Sequence, residues 1–209
     1  MAPDAVEIRV VGCLVEKQRT TPDAYPLSLN ALRLACNQAT NRDPVIAYDE
    51  ATVSDALRRL ALRGWTRLAS GAGSRARKYR HLLPEALNLD DEELALLAVL
   101  MLRGAQTPGE LKQRSERLHG FAGLPEVQEA LERLLERELV ARHPRRPGQK
   151  EDRYEQVLAG GGEVQEDEET EPAFLSPAVA ADDERLERLE RELQDLRSEV
   201  AKLRESLAD

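Results

Sequence analysis

The side chains of this chain that are typed and spaced to do chemistry are cations. Arg67, Arg75, Arg77, Lys78 and Arg80 crowd around the turn Ser70-Gly71-Ala72-Gly73-Ser74. Just before them, Thr52, Ser54, Asp55, Arg58 and Arg59 fall on the outward face of an expected helix. Cations gathered on one hairpin are suited to neutralising phosphates and releasing their counterions. A guanidinium at Arg58 or Arg59 can donate to the O6 and N7 edge of guanine. Double-stranded DNA is the partner this set implies, with Thr52, Ser54, Arg58, Arg59, Arg67, Arg75, Arg77, Lys78 and Arg80 as candidate contacts. The alternative reading of the same residues is a solvated basic face.

Nothing else is arranged for catalysis. His81, His119 and His143 have no partner at ligand spacing and read as surface or loop residues. Asp90-Asp91 and Glu92-Glu93 stand where acidic groups favour the positive end of a helix, so they read as helix-start charges and not as an acid/base couple. Gly71-Ala72-Gly73 is too short for a phosphate loop and would lie between strands, whereas such a loop precedes a helix. Cys13 and Cys36 occupy apolar helical positions in a chain without an export signal and read as small buried hydrophobes. No Cys-x-x-Cys or His pair supports a metal or a disulfide. The expectation is no enzyme, no cofactor and no metal.

The segments that must hold the cations in place occur twice. Val10-Val11-Gly12-Cys13-Leu14-Val15, followed by Thr21-Pro22, matches Leu96-Leu97-Ala98-Val99-Leu100-Met101, followed by Thr107-Pro108, at an offset of 86. Val53, Leu57, Leu60, Arg63 and Trp65 match Val127, Leu131, Leu134, Arg137 and Leu139 at 74, and Tyr79 matches Tyr154 at 75. In the first copy the apolar spacing predicts helices over about 6–18, from Pro26-Leu27-Ser28 onward, and over 50–63, the last capped by Asp49 and ended at Gly64. Strands over 65–69 and 75–82 follow. In the second copy Thr107-Pro108-Gly109-Glu110 is a capping box, helices run to about 118 and over 125–138, and strands cover 139–143 and 153–158. Three helices followed by a hairpin make the winged helix-turn-helix plan, in which the third helix enters the major groove and the hairpin, or wing, touches the backbone.

The net charge of −9 is unevenly spread. Residues 1–88 carry 13 Lys and Arg against 9 Asp and Glu, and residues 89–160 carry 11 against 14. Residues 161–209 carry 6 against 16, so the acidity lies mostly in the tail. The first copy has the sign a nucleic acid requires. In the second copy the third helix turns Glu126, Gln128, Glu129, Glu132 and Glu136 outward, with only Arg133 and Arg137 against them, a face suited to protein. Residues 161–181 read as an acidic, self-repelling linker. From 182 onward Leu186, Leu189, Leu193, Leu196, Val200, Leu203 and Leu207 alternate spacings of 3 and 4, a heptad seam. Arg185, Glu192 and Glu199 at g face Glu190, Arg197 and Arg204 at e with opposite sign in a parallel pair, which predicts a homodimer through parallel C-terminal helices. The alternative is a helix folded back on the globular part.

Several stretches resemble a known family. Gly12-Cys13-Leu14-Val15-Glu16-Lys17-Gln18, Thr20-Thr21-Pro22, Tyr25-Pro26-Leu27-Ser28, Ala35-Cys36-Asn37-Gln38 and Asn41-Arg42-Asp43-Pro44-Val45 resemble the YceH-type family of bacterial proteins. Leu102–Leu111 and Arg153-Tyr154 match it too. The resemblance spans about residues 8–158, with a similar C-terminal heptad helix. It implies a tandem winged-helix fold and brings no biochemical activity and no site residues. The polar set Glu16, Lys17, Gln18, Asn37, Gln38, Asn41 and Arg42 has two readings, a structural one with a Glu16–Arg42 pair and a recognition surface beside the first winged helix.

The expected architecture is therefore mainly α with small β-hairpin wings. Two tandem winged helix-turn-helix domains (1–88 and 89–160) precede the linker (161–181) and a coiled-coil helix (182–209). The function expected is that of a cytoplasmic, DNA-binding, transcription-regulator-like protein. The alternative is a tandem winged-helix scaffold that binds protein, with a possible partner on the second domain. No apolar run approaches the roughly 18–20 residues that span a bilayer, so no membrane is expected.

Overall fold

The computed structural model describes residues 2–69, 77–145 and 151–159. The turn residues 70–76 with Arg75, then Arg146 and Lys150, the acidic linker and the whole heptad helix with Leu186, Leu189, Leu193, Leu196, Val200, Leu203 and Leu207 lie outside the described residues.

Each copy of the repeat opens on a capped helix. Asp4 accepts from the Glu7 N–H at 2.8 Å while Glu7 accepts from the Asp4 N–H at 3.0 Å, a capping box that starts α1 (Ala5–Thr20). Asp90 and Glu93 repeat this box at the start of α5 (Asp91–Arg103), which ends at Gly104. Ser28 caps α2 (Leu29–Cys36), and Asp49 caps α3 (Glu50–Leu62). Between α3 and α5 a short helix, α4 (Leu83–Leu87), begins with Pro84 in its first turn. Thr107 and Glu110 form the expected capping box of α6 (Pro108–Ser115), which ends sooner than the spacing predicted. Pro125 opens α7 (Leu124–Glu136).

Each copy closes on a hairpin. In the first, β1 (Leu27–Ser28), β2 (Thr66–Leu68) and β3 (Lys78–His81) form an antiparallel sheet in the order β1-β3-β2. The register sets Leu27 opposite Tyr79, Arg67 opposite Arg80 and Thr66 opposite His81. In the second, β4 (Val140–His143) pairs antiparallel with β5 (Arg153–Gln156), and Tyr154 of β5 exchanges backbone hydrogen bonds with Gln106 at 2.8 and 2.9 Å on its other side. The described residues are thus mainly helical with two small antiparallel sheets, an arrangement compatible with a winged-helix-like fold.

The apolar faces of the two copies meet in one continuous core. Val10, Val11 and Leu14 of α1 and Leu96, Leu97 and Leu100 of α5 are buried together with Leu32, Leu57, Leu60, Leu111, Leu131 and Leu134. The two first helices approach closely at Gly12, where a Cβ would stand 3.1 Å from Met101 Cβ and 3.1 Å from Leu102 Cδ2. Beside them the Asp43 N–H donates to the Leu102 carbonyl at 2.9 Å, a backbone tie between the copies. Among the described residues no helix is long and apolar enough to cross a membrane.

Candidate nucleic-acid interface

The expected reading face lies on α3. Val53, Ala56, Leu57 and Leu60 turn into the core, which leaves Ser54, Asp55 and Arg58 exposed. Arg58 pairs with Asp55 at 3.1 Å, one turn back on the exposed face. Thr52 is half-buried at the helix start, where its N–H donates to Asp49 Oδ1 at 2.8 Å.

Arg59 is held elsewhere. Its guanidinium lies 2.7 Å from Asp4 Oδ2 and 3.3 Å from Glu7 Oε2, and Arg63 reaches Glu7 Oε1 at 3.1 Å and the Ala2 carbonyl at 2.9 Å. Burial pushes the Glu7 carboxyl up, but the Asp4 N–H, Arg63 and Arg59 more than offset this and hold it below the usual carboxylate range. The second copy builds the same clamp. Arg133 lies 3.1 Å from Asp90 and 2.7 Å from Glu92, and Arg137 lies 2.9 Å from Glu93. Positions 59 and 63 carry to 133 and 137 at the offset of 74, and Asp4 and Glu7 carry to Asp90 and Glu93 at 86. Both repeat offsets therefore meet in one device, which ties the end of the third helix to the start of the first. Those offsets are the signal by which the clamp was findable in the sequence.

The hairpin cations stand differently in the two copies. Opposed residues of an antiparallel pair point to one side, and side chains alternate along a strand. Arg67, Arg80 and Lys78 therefore share the sheet face turned away from buried Thr66, His81 and Leu27. Arg67 and Arg77 are exposed; Arg80 is half-buried, with an Nε that has no hydrogen-bond partner. No carboxylate lies within ion-pairing distance of Arg67, Arg77 or Arg80 among the described residues. In the second hairpin Arg142 pairs with Asp152, and Arg153 lies 3.4 Å from Glu110 and 2.7 Å from the Ala105 carbonyl. His143 faces Glu155 at 3.0 Å, and α7 exposes Gln128, Glu129, Glu132 and Glu136.

Two other polar groups resolve into structure. Arg42 is buried, donates to Glu16 at 2.6 and 3.0 Å, to the Ala35 and Asn41 carbonyls and to Gln38 Oε1, and so makes the expected pair with Glu16. Asn37 bonds the Tyr48 backbone in both directions, at 2.8 and 2.9 Å. His81, expected at the surface, is 4% exposed: its Nε2 lies 2.6 Å from Gln18 Oε1 and its Nδ1 accepts from the Leu83 N–H. The alternation of β3 carries it inward opposite Thr66, a periodicity that a lone histidine in a polar stretch does not show. Cys13 and Cys36 are both buried.

One convergence has no sequence signature because its members stand on separate elements. Glu92, His119 and Glu126 bring their ligand atoms within 4.8 Å of one another. Both carboxylates already have partners: Glu92 takes Arg133 at 2.7 Å and Glu126 takes the Ala122 N–H at 2.6 Å. A guanidinium at that distance opposes a cation in the same place.

Comparison with known proteins gives the chain its relatives. Residues 4–149 match the family described as protein of unknown function, DUF480. The chain is 51% identical over 189 residues to a UPF0502 protein of Geotalea daltonii, covering 90% of this chain and 86% of that one. It is 50% identical over 193 residues to a UPF0502 protein of Geobacter metallireducens, covering 91% and 88%. It is 48% identical over 209 residues to one of Pelobacter propionicus, covering 97% and 94%. With most of its length matched by the family model and by relatives at half identity, the chain belongs to the DUF480 family of bacterial proteins.

Proposed function

We propose that the chain binds double-stranded DNA through its first copy and acts as a transcription-regulator-like protein built on two winged helix-turn-helix units. Arg58, Ser54 and Thr52 on α3 meet base edges, and Arg67, Arg75, Arg77, Lys78 and Arg80 hold phosphates. Arg59 serves by fixing the pitch of α3 through Asp4 and Glu7. The observation that carries this reading is the contrast between hairpins. Arg67, Arg77 and Arg80 have no ion-pair partner among the described residues, while Arg142 and Arg153 of the second hairpin are neutralised within the chain. A guanidinium left without a counter-charge is the one available to a phosphate.

The exposed acidic face of α7 supports a second reading, in which the second copy meets a protein partner. In both readings the heptad seam from Leu186 to Leu207 joins two chains in parallel. The test is duplex binding by the full chain and by an Arg67→Gln/Arg80→Gln variant, with Arg142→Gln as the control. The reading expects at least a tenfold loss in the double variant and little change in the control. Unchanged affinity in the double variant would remove the first hairpin from the interface, and equal losses in both would remove the contrast between the hairpins.

A further inference from the structure

A cleft of about 610 Å³ lies where the end of α1 and the turn after α2 face α5 and α6. That volume falls within the roughly 300–1,000 Å³ of small-molecule sites. None of the residues assigned above to DNA lines it. Its charged lining is Lys17, Arg103, Arg114 and Arg117 against the single carboxylate of Glu16. Glu16 is already matched by buried Arg42 at 2.6 Å, with Lys17 at 3.6 Å. Arg114 shares Glu110 with Arg153, each at 3.4 Å. Arg103 and Arg117 have no carboxylate within ion-pairing distance among the described residues.

The cations are also positioned. Asn41 adopts φ 61 in the left-handed region, and its Oδ1 accepts from Arg103, which fixes that guanidinium at the cleft. Burial first, then the fields of Arg114 and Arg42, hold Arg103 below the ordinary guanidinium value, so its charge is under-compensated. Val99, Leu102 and Leu118 supply an apolar wall beside the cations. Guanidinium forks match phosphate oxygens in pairs, and several together favour a multiply charged anion over a single carboxylate.

We propose that this cleft between the two copies binds a small ligand bearing two or more linked phosphates, its phosphates on Lys17, Arg103 and Arg117 and any organic part against Leu118. Such a ligand would bridge α1 to α6. Its binding is independent of whether the first copy holds DNA.

Calorimetric titration of the full chain at low salt, with pyrophosphate in one arm and ADP in the other, tests it. One-to-one binding in both arms is expected, weakened at least tenfold by Arg103→Gln and by Arg117→Gln, and unchanged in Arg142→Gln. Arg117 is exposed and has no ion-pair partner among the described residues, so its variant stays folded even if Arg103→Gln does not. Tighter binding of ADP than of pyrophosphate places the organic part on the apolar wall, and equal binding places the phosphates alone. No heat in either arm at millimolar ligand, or equal affinity in the Arg117→Gln chain, overturns the site.

Discussion

His81 is a buried imidazole held neutral, and mild acid should find it. The amide oxygen of Gln18, 2.6 Å away, accepts from Nε2–H, while Nδ1 accepts from the Leu83 N–H. Both ring nitrogens are satisfied only in the neutral form, because a second proton would set Nδ1–H against the Leu83 N–H. Burial, the leading cause, lowers the pKa from 6.5 to about 4, with the cations Arg19 and Arg80 adding to it and Glu85 opposing it. Between those values the unfolded chain binds more protons than the folded one, so stability falls as the pH falls from above 6.5 toward 4. Between about pH 7 and pH 5 this loss amounts to about 2 kcal/mol, since one proton bound only by the unfolded chain is worth about 1.4 kcal/mol for every tenfold rise in proton concentration. Denaturant unfolding of the full chain at pH 7, 6 and 5 reads this directly. His81→Gln is expected to be less stable at pH 7 and nearly flat over the same window. The Glu7 carboxyl, held low by its partners, gives up its contribution only in more acid solution and leaves the window clear. A His81→Gln chain that loses stability between pH 7 and 5 as steeply as the wild type would refute the reasoning.

Other perturbations reach the packing and the clamps. Gly12→Val should cost about 1–3 kcal/mol by overpacking, because a Cβ there already stands 3.1 Å from Met101 and Leu102, and a lowered denaturation midpoint checks it. Arg42→Ala leaves Glu16 and the Ala35 carbonyl without their donors and should cost about 3 kcal/mol, whereas Lys17→Ala, at the cleft edge, should cost under about 1 kcal/mol. Arg59→Ala should lower both the melting temperature and duplex affinity, while Arg58→Ala should lower affinity alone. Deleting 182–209 should halve the mass in solution; unchanged stoichiometry removes the parallel C-terminal pair.

The repeat was legible because core spacing survives divergence: Val53, Leu57 and Leu60 and their counterparts Val127, Leu131 and Leu134 are all buried. Caps were legible where a short polar residue precedes an apolar run, as at Asp49 and Thr107. Two-residue β1 was not, since Ser28 also caps the helix that follows and the local signal belongs to that helix. Helix α4 has no signal in the sequence, because five residues behind Leu82 are too few to show a period. The ion-pair state of each arginine is set by contacts far apart in the chain, such as Arg59 with Asp4. Charge counting therefore placed Arg58 and Arg59 together, although the fold gives one to solvent and the other to α1. For the same reason the cleft between α1 and α6 had no signature in either copy taken alone.

Binding of a short duplex by the full chain, followed from about 50 to 200 mM salt, addresses the DNA reading most directly. Three to five neutralised phosphates predict that log K falls against log salt with a slope of about −3 to −4.5. A slope near zero, or no measurable binding at about 50 mM salt, would contradict it and leave the exposed acids of α7 as the better guide to a partner.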